Sequence, residues 1–169
     1  MTGALIVTAE LGAEDFAWLD RQRRAYFPPA RNQLSAHLTM FHALPPSAEA
    51  EARRVLAQLA AAAPPKALLA GLMNLGRGVA YRVTSEELDA IRAEIASRFH
   101  GNLSAQDAQG WRPHVTIMNK ADSSQAKSLL KELTISFEPR PLVIAGLALH
   151  RYLGGPWEKL GQWSFRGAG

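Results

Sequence analysis

"SAHLTMFHAL" (residues 35–44) and "RPHVTIMNK" (112–120) repeat one pattern: a histidine, an apolar residue, a threonine, then more apolar residues. Both runs are short and apolar, and the first is closed by Pro45–Pro46, so each reads as a strand. Residues i and i+2 of a strand point to one face. His37, Thr39 and Phe41 therefore share a face, opposite Leu38, Met40 and His42. In the second run His114, Thr116 and Met118 lie opposite Val115, Ile117 and Asn119. Each strand thus sets an imidazole beside a hydroxyl on an apolar backing. One such pair is ordinarily structural; two in matching contexts point to a shared site.

Working outward, "ALIVTAEL" (4–11) reads as a buried strand, and residues 13–27 as a helix stopped by Pro28–Pro29. The basic cluster Arg21, Arg23 and Arg24 reads as that helix's solvated face. Ser47 is placed to cap an alanine-rich helix over 47–63, ended by Pro64–Pro65. "KALLAGLMNLG" and "GVAYRVTS" are two strands joined at "GRG" (76–78), and Ser85 opens a helix to about Phe99. Residues 100–111 read as a loop. After the second motif strand come a helix over 122–133 and three strands, "TISFEP", "LVIAGLALHRYL" and "WEKLGQWSF", with "GGP" (154–156) as the last turn. Strand–helix–strand–helix occurs twice, each half holding one His-x-Thr strand. The class is α+β with internal pseudo-repetition, in a single domain over 1–169.

The 169 residues include 47% hydrophobic and 20% charged side chains, an ordinary globular composition long enough to bury a core. Cysteine is absent, which excludes disulfides, thiolate nucleophiles and cysteine zinc sites and suits a reducing compartment. "MTGALIVTAEL" lacks the pattern of a signal peptide, and no run approaches the ~18 apolar residues of a membrane span. A cytoplasmic monomer without membrane attachment is the expectation. The net charge of +4 is compatible with a phosphate-bearing partner.

Imidazole titrates nearest neutrality, so two histidines can supply the base and the acid that opening a phosphodiester or cyclic phosphate requires. Threonine hydroxyls can hold the non-bridging phosphate oxygens between them. Such a site needs no metal and no cofactor.

"AHLTMFHALP" and "PHVTIMNK", with "RYLGGPWE" (151–158) near the C-terminus, resemble the 2H phosphoesterases, specifically their bacterial 2′-5′ RNA ligase-like branch. The resemblance spans nearly the whole chain and implies a bilobal fold: two pseudo-symmetric lobes of antiparallel sheet, helices outside, and a central cleft. It also implies that His37 and His114 are the acid and base, that Thr39 and Thr116 bind phosphate, and that no metal is used. The substrate implied is an RNA or nucleotide bearing a 2′,3′-cyclic phosphate, hydrolysed to a 2′-phosphate, or joined in reversible 2′-5′ ligation. Relatives often carry an arginine shortly after the second motif; here the stretch reads Met118-Asn119-Lys120. Strand alternation would put Lys120 with His114 and Thr116, as a point charge in place of a fork.

Phe41, Tyr152 and Trp157 are candidates to wall the cleft or stack on a base. Arg31, Arg77 and Arg112 are candidates for further phosphates. His42 should point away from His37, which also rules out a metal shared by the two. His150 reads as structural, and His100 sits in a loop with no partner that the sequence names. The rival functions are a 2′-5′ ligase, a phosphodiesterase for another nucleotide, a nucleotide- or RNA-binding module without turnover, and a structural domain with accidental motifs.

Overall fold

The computed structural model describes residues 3–167. Met1 and Thr2, where the leader reading begins, lie outside them. The chain folds as two successive βαβαβ repeats and a final strand. The first repeat is β1 (Leu5–Leu11), α1 (Ala13–Tyr26), β2 (Leu38–Leu44), α2 (Glu49–Leu59) and β3 (Lys66–Asn74). The second is β4 (Val79–Thr84), α3 (Glu86–Arg98), a single helical turn α4 (Ala105–Ala108), β5 (His114–Met118), α5 (Ser123–Ser136) and β6 (Arg140–Tyr152). β7 (Trp157–Ser164) follows.

Every strand pairing is antiparallel, in the order β2-β1-β6-β3-β4-β5, with β7 added to β6. The two repeats exchange their last strands. β1 pairs with β2 from its own repeat and with β6 from the other. β4 pairs with β5 from its own repeat and with β3 from the other. The exchanged strands meet where Lys66–Leu69 pairs with Arg140–Val143. One lobe is thus β2-β1-β6-β7, the other β5-β4-β3 with the start of β6. β2 and β5, at opposite ends of the strand order, lie side by side. That juxtaposition brings the two motifs together.

The buried residues that secure this are the expected apolar ones: Leu5, Val7, Leu38 and Leu149 in the first lobe, Val79, Val83, Val115 and Ile117 in the second. Each fully buried aliphatic side chain contributes roughly 1.5–3 kcal/mol. α1 packs on β5, while α3 and α5 pack on β3. Gly78 lets the β3–β4 hairpin close on the end of β5, because a Cβ there would sit 2.0 Å from the Met118 carbonyl oxygen. Arg77, at the hairpin tip, donates from Nε to the Ala121 carbonyl at 2.9 Å, an anchoring bond for the same contact.

Several local expectations change. Ser47 caps no helix: Pro46–Ala48 form a 3-10 turn, and α2 starts at Glu49 and stops at Leu59. Ser85 does cap α3, its hydroxyl accepting from the Leu88 amide at 3.0 Å. The 100–111 loop holds α4, with Ser104 as its cap. "TIS" (134–136) is helical, not strand; the Thr134 hydroxyl donates to the Leu130 carbonyl at 2.6 Å, and Ile135 is 80% exposed with no sheet to cover it. Among the described residues, no helix is long and apolar enough to cross a membrane.

Candidate active site

His37 immediately precedes β2, and His114 opens β5. The two imidazoles are held alike. His37 Nδ1 donates to the Ser35 carbonyl at 2.8 Å, and His114 Nδ1 to the Arg112 carbonyl at 2.7 Å, each two residues upstream. A carbonyl oxygen only accepts, so the proton sits on Nδ1 and leaves Nε2 free in the neutral ring. Thr39 and Thr116, two residues on, are both half-buried. Thr39 pairs with Thr8 of β1, and Thr116 with Ala80 of β4.

Trp157, reaching over from β7, stands edge-to-face with His37 at 4.7 Å between centroids and 5.3 Å from His150. His150 Nε2 shares a 2.9 Å hydrogen bond with the Thr8 hydroxyl. A cavity of about 590 Å³ opens beside His37, with Glu10, Gln33, His150, Trp157 and Lys159 among its walls. Lys159 ion-pairs with Glu10. Burial in this setting pushes the His37 pKa down to about 4 against the opposing Ser35 carbonyl, and the nearby charge of Arg23 adds to the depression. Burial likewise lowers that of His150.

Helix arginines brace the motif strands across the repeats. Arg23 of α1 is buried, not solvated as its neighbours Arg21 and Arg24 are. It donates to the Thr116 carbonyl at 3.1 Å and to Asn32 Oδ1 at 2.8 Å, with its guanidinium 4.4 Å from the Phe27 ring. Desolvation lowers its pKa to about 10, so it stays charged at neutrality. In the opposite direction, Arg92 of α3 donates to the Met40 carbonyl at 3.3 Å, and Trp111 Nε1 to the Thr39 carbonyl at 3.2 Å.

Strict alternation fails in β2. Pairing steps from Thr8↔Thr39 to Val7↔Phe41 and then to Leu5↔Leu44, so extra residues bulge at Met40 and around His42–Ala43. Met40 and Phe41 are consequently both buried. Phe41 does not wall the cleft: it is a core side chain, its ring covered by Arg92 at 4.3 Å. His42 is exposed and lines a second cavity together with Thr39, Tyr152 and Trp157. Of the expected stacking groups, Tyr152 and Trp157 border cavities next to the motifs and Phe41 does not.

β5 ends at Met118, and Lys120 lies beyond it in a left-handed conformation (φ 57°), exposed. The alternation that would align Lys120 with His114 has stopped by then. A different cation stands beside His114. Arg82 of β4 is its direct cross-strand partner and shares its face. Arg82 is exposed, packs over Gly71, and has no carboxylate partner among the described residues; its Nη2 meets only the Ala70 carbonyl, at 3.4 Å. Neither Arg82 nor His42 could be assigned to the site from spacing, because the first needs the strand pairing and the second the bulge.

A family model described as the 2′-5′ RNA ligase superfamily matches residues 12–156. No curated protein matches the sequence at a significant level. The fold is similar to the crystal structure of TT0787 of Thermus thermophilus, at 20% identity over 97% of this chain and 98% of that one, with a TM-score of 0.65. It is also similar to a crystal structure described as a phosphoesterase, at 18% identity over 98% and 99%, TM-score 0.60. Escherichia coli LigT complexed with 3′-AMP follows at 19% identity over 98% and 99%, TM-score 0.58. The α+β architecture of two exchanged repeats is therefore shared with these structures, and the family match covers most of the sequence, both motifs included. The chain belongs to the 2′-5′ RNA ligase superfamily.

Proposed function

We propose that the protein hydrolyses the 2′,3′-cyclic phosphate end of an RNA or nucleotide to a 2′-phosphate by two-histidine acid–base chemistry. The observation that supports this most is the matched presentation of His37 and His114 on adjacent strands, each with Nδ1–H committed to a carbonyl and Nε2 free. His37, held neutral by burial, is the base. Its Nε2 takes a proton from water as the water oxygen attacks phosphorus. The P–O3′ bond breaks opposite, and His114, which enters the step doubly protonated with Nδ1–H on the Arg112 carbonyl, gives its Nε2 proton to the departing 3′ oxygen. The Thr39 and Thr116 hydroxyls donate to the non-bridging oxygens. The solved complexes of LigT with 3′-AMP and with NADP+ agree with a nucleotide-sized ligand.

The test is incubation of EDTA-treated protein with the four nucleoside 2′,3′-cyclic monophosphates and a short RNA ending in a cyclic phosphate. A 2′-phosphate product is expected; no product from any of them overturns the reading. The superfamily match favours one variant of the same step, in which an RNA 5′-hydroxyl replaces water and a 2′-5′ linkage results. Supplying a 5′-hydroxyl RNA in the same assay separates the two.

The position of His37 has a pH consequence. The free enzyme loses its base when His37 is protonated, so kcat/KM should fall on the acid side near pH 4, not near the ordinary histidine value of about 6.5. An acid limb centred at 6 or above would contradict the assignment of His37 as the base.

Arg82 should carry part of the substrate's charge. A charge-assisted hydrogen bond is worth about 1.5–3 kcal/mol, so Arg82→Ala should lower kcat/KM roughly 10–100-fold. Steady-state kinetics showing less than a twofold change would place Arg82 outside the site.

A further inference from the structure

The two motif histidines are anchored alike but surrounded differently, and Trp157 makes the difference. His37 lies just before β2, outside the strand ladder, so pairing does not fix its backbone as it fixes that of His114 in β5. One hydrogen bond, from Nδ1 to the Ser35 carbonyl, leaves a ring that can still swing about it. The indole of Trp157 closes off that swing, standing at 61° to the imidazole with centroids 4.7 Å apart. Among the described residues, no aromatic ring stands against His114 in this way.

Trp157 is itself held from several sides. Behind it stands His150, 5.3 Å away between centroids, and the buried Thr8 fixes that second imidazole through the 2.9 Å bond to Nε2. Trp157 opens β7 opposite Tyr152 of β6, and the turn between them closes with the Leu153 amide donating to the Pro156 carbonyl at 2.9 Å. Gly155 in that turn presses on the segment leading into His37, where a Cβ would sit 2.4 Å from Gln33 Oε1. The hairpin that carries the indole therefore docks on the same segment that supplies the Ser35 carbonyl. An indole with an imidazole on each of two sides is a packed, half-buried ring, not an open platform for a base.

We propose that Trp157 is the positioning residue for the base of the reaction: it holds the His37 imidazole against Ser35, keeps bulk water off the ring, and leaves Nε2 aimed at the water it deprotonates. This rests on the two-histidine reading for what Nε2 does. Fixing the ring removes the cost of orienting it at each turnover, and excluding water favours its neutral form. The charged and titratable groups around His37 are Arg23 on α1, His114 on β5 and His150 on β6, with Glu10 and Lys159 in the cavity wall. Of these, His150 is the one in ring contact with Trp157, and Thr8 holds it independently. Truncating Trp157 therefore changes the water around His37 and leaves the charges where they are.

Two measurements on Trp157→Ala and Trp157→Phe decide it. In Trp157→Ala the acid limb of kcat/KM should move upward by about one pH unit or more, from near 4 toward the ordinary histidine value of about 6.5. Its kcat should fall about tenfold, while KM changes less than about twofold because the indole holds the base and not the substrate. Trp157→Phe, which keeps an aromatic edge, should restore the limb and keep kcat within about threefold of the wild type. Trp157→Leu, with apolar bulk but no ring, takes the place of the alanine variant if that one fails to fold. Independently of turnover, the His37 ring resonances of the substrate-free protein should titrate at higher pH in Trp157→Ala than in the wild type. That shift, in a protein that hydrolyses no cyclic phosphate, would keep Trp157 as the residue that holds His37 and remove the phosphoesterase reading. Hydrolysis with a raised KM, an unmoved acid limb and an unmoved His37 titration would make Trp157 a substrate contact, overturning the proposal and leaving that reading standing.

Discussion

His37→Ala and His114→Ala are each expected to lower kcat on a 2′,3′-cyclic phosphate by about 10²–10⁴-fold, the usual worth of a positioned general acid or base. The fold should survive both changes. Neither imidazole is among the buried core side chains, and each spends its one protein hydrogen bond on a carbonyl two residues away. The effects should not add, because attack and departure occur on one phosphorus and the step fails when either proton transfer is lost. The double variant should therefore resemble the slower single variant. Single-turnover rates measured beside thermal unfolding check both halves. Near-wild-type turnover in either single variant would remove the two-histidine mechanism, whatever the family.

The largest effect on stability is expected at Arg23. Arg23→Met keeps an apolar stem of similar length against Phe27 but removes the donors to the Thr116 carbonyl and Asn32 Oδ1. Leaving buried acceptors without donors costs about 1–3 kcal/mol each, so urea unfolding should show a loss of roughly 2–4 kcal/mol. Removing the buried charge offsets part of this, which keeps the figure from being larger. Arg24→Met is the internal comparison: its side chain is 70% exposed, and its only ion pair among the described residues, with Asp20, is a surface contact 3.4 Å long. That variant should change stability by less than about 0.5 kcal/mol. Because Arg23 ties α1 to the strand bearing Thr116, Arg23→Met should also reduce turnover in the molecules that remain folded. Equal stability of the two variants would mean that the brace is not a support.

The features legible in the sequence were those set by local chemistry. Ser85 sits where a helix cap must, Pro28–Pro29 follow α1, and the two His-x-Thr runs read as strands from their apolar residues alone. What escaped depends on pairing. Strict alternation placed Phe41 in the cleft and His42 behind it; two bulges in β2 bury Phe41 in the core and set His42 at a second cavity with Thr39. Arg82 enters the site because β4 lies against β5 in a register that puts it opposite His114, which no spacing along the chain encodes. Thr134–Ser136 read as strand from β-branched composition, yet α5 runs through them, the threonine bonding back to the preceding turn. Arg23 looked like one more surface charge; its burial follows from the packing of α1 on the other repeat's motif strand.

The exchanged strands also govern the order in which the molecule can be made. When a ribosome has released the first repeat, β1 can pair with β2, but its other edge must wait for β6, whose partners to β1 begin at Ile144. β3, already synthesised, has no neighbour until β4 emerges. Neither motif strand has a finished lobe beneath it until nearly the whole chain is out. During synthesis the protein therefore passes through a stage with open sheet edges, and such edges invite pairing between chains. A second nascent copy could lend its β6 to β1 in place of the chain's own while that is still unmade. Slow elongation, or crowding of many chains on one message, should then raise the yield of intertwined dimers joined through β3 and β6.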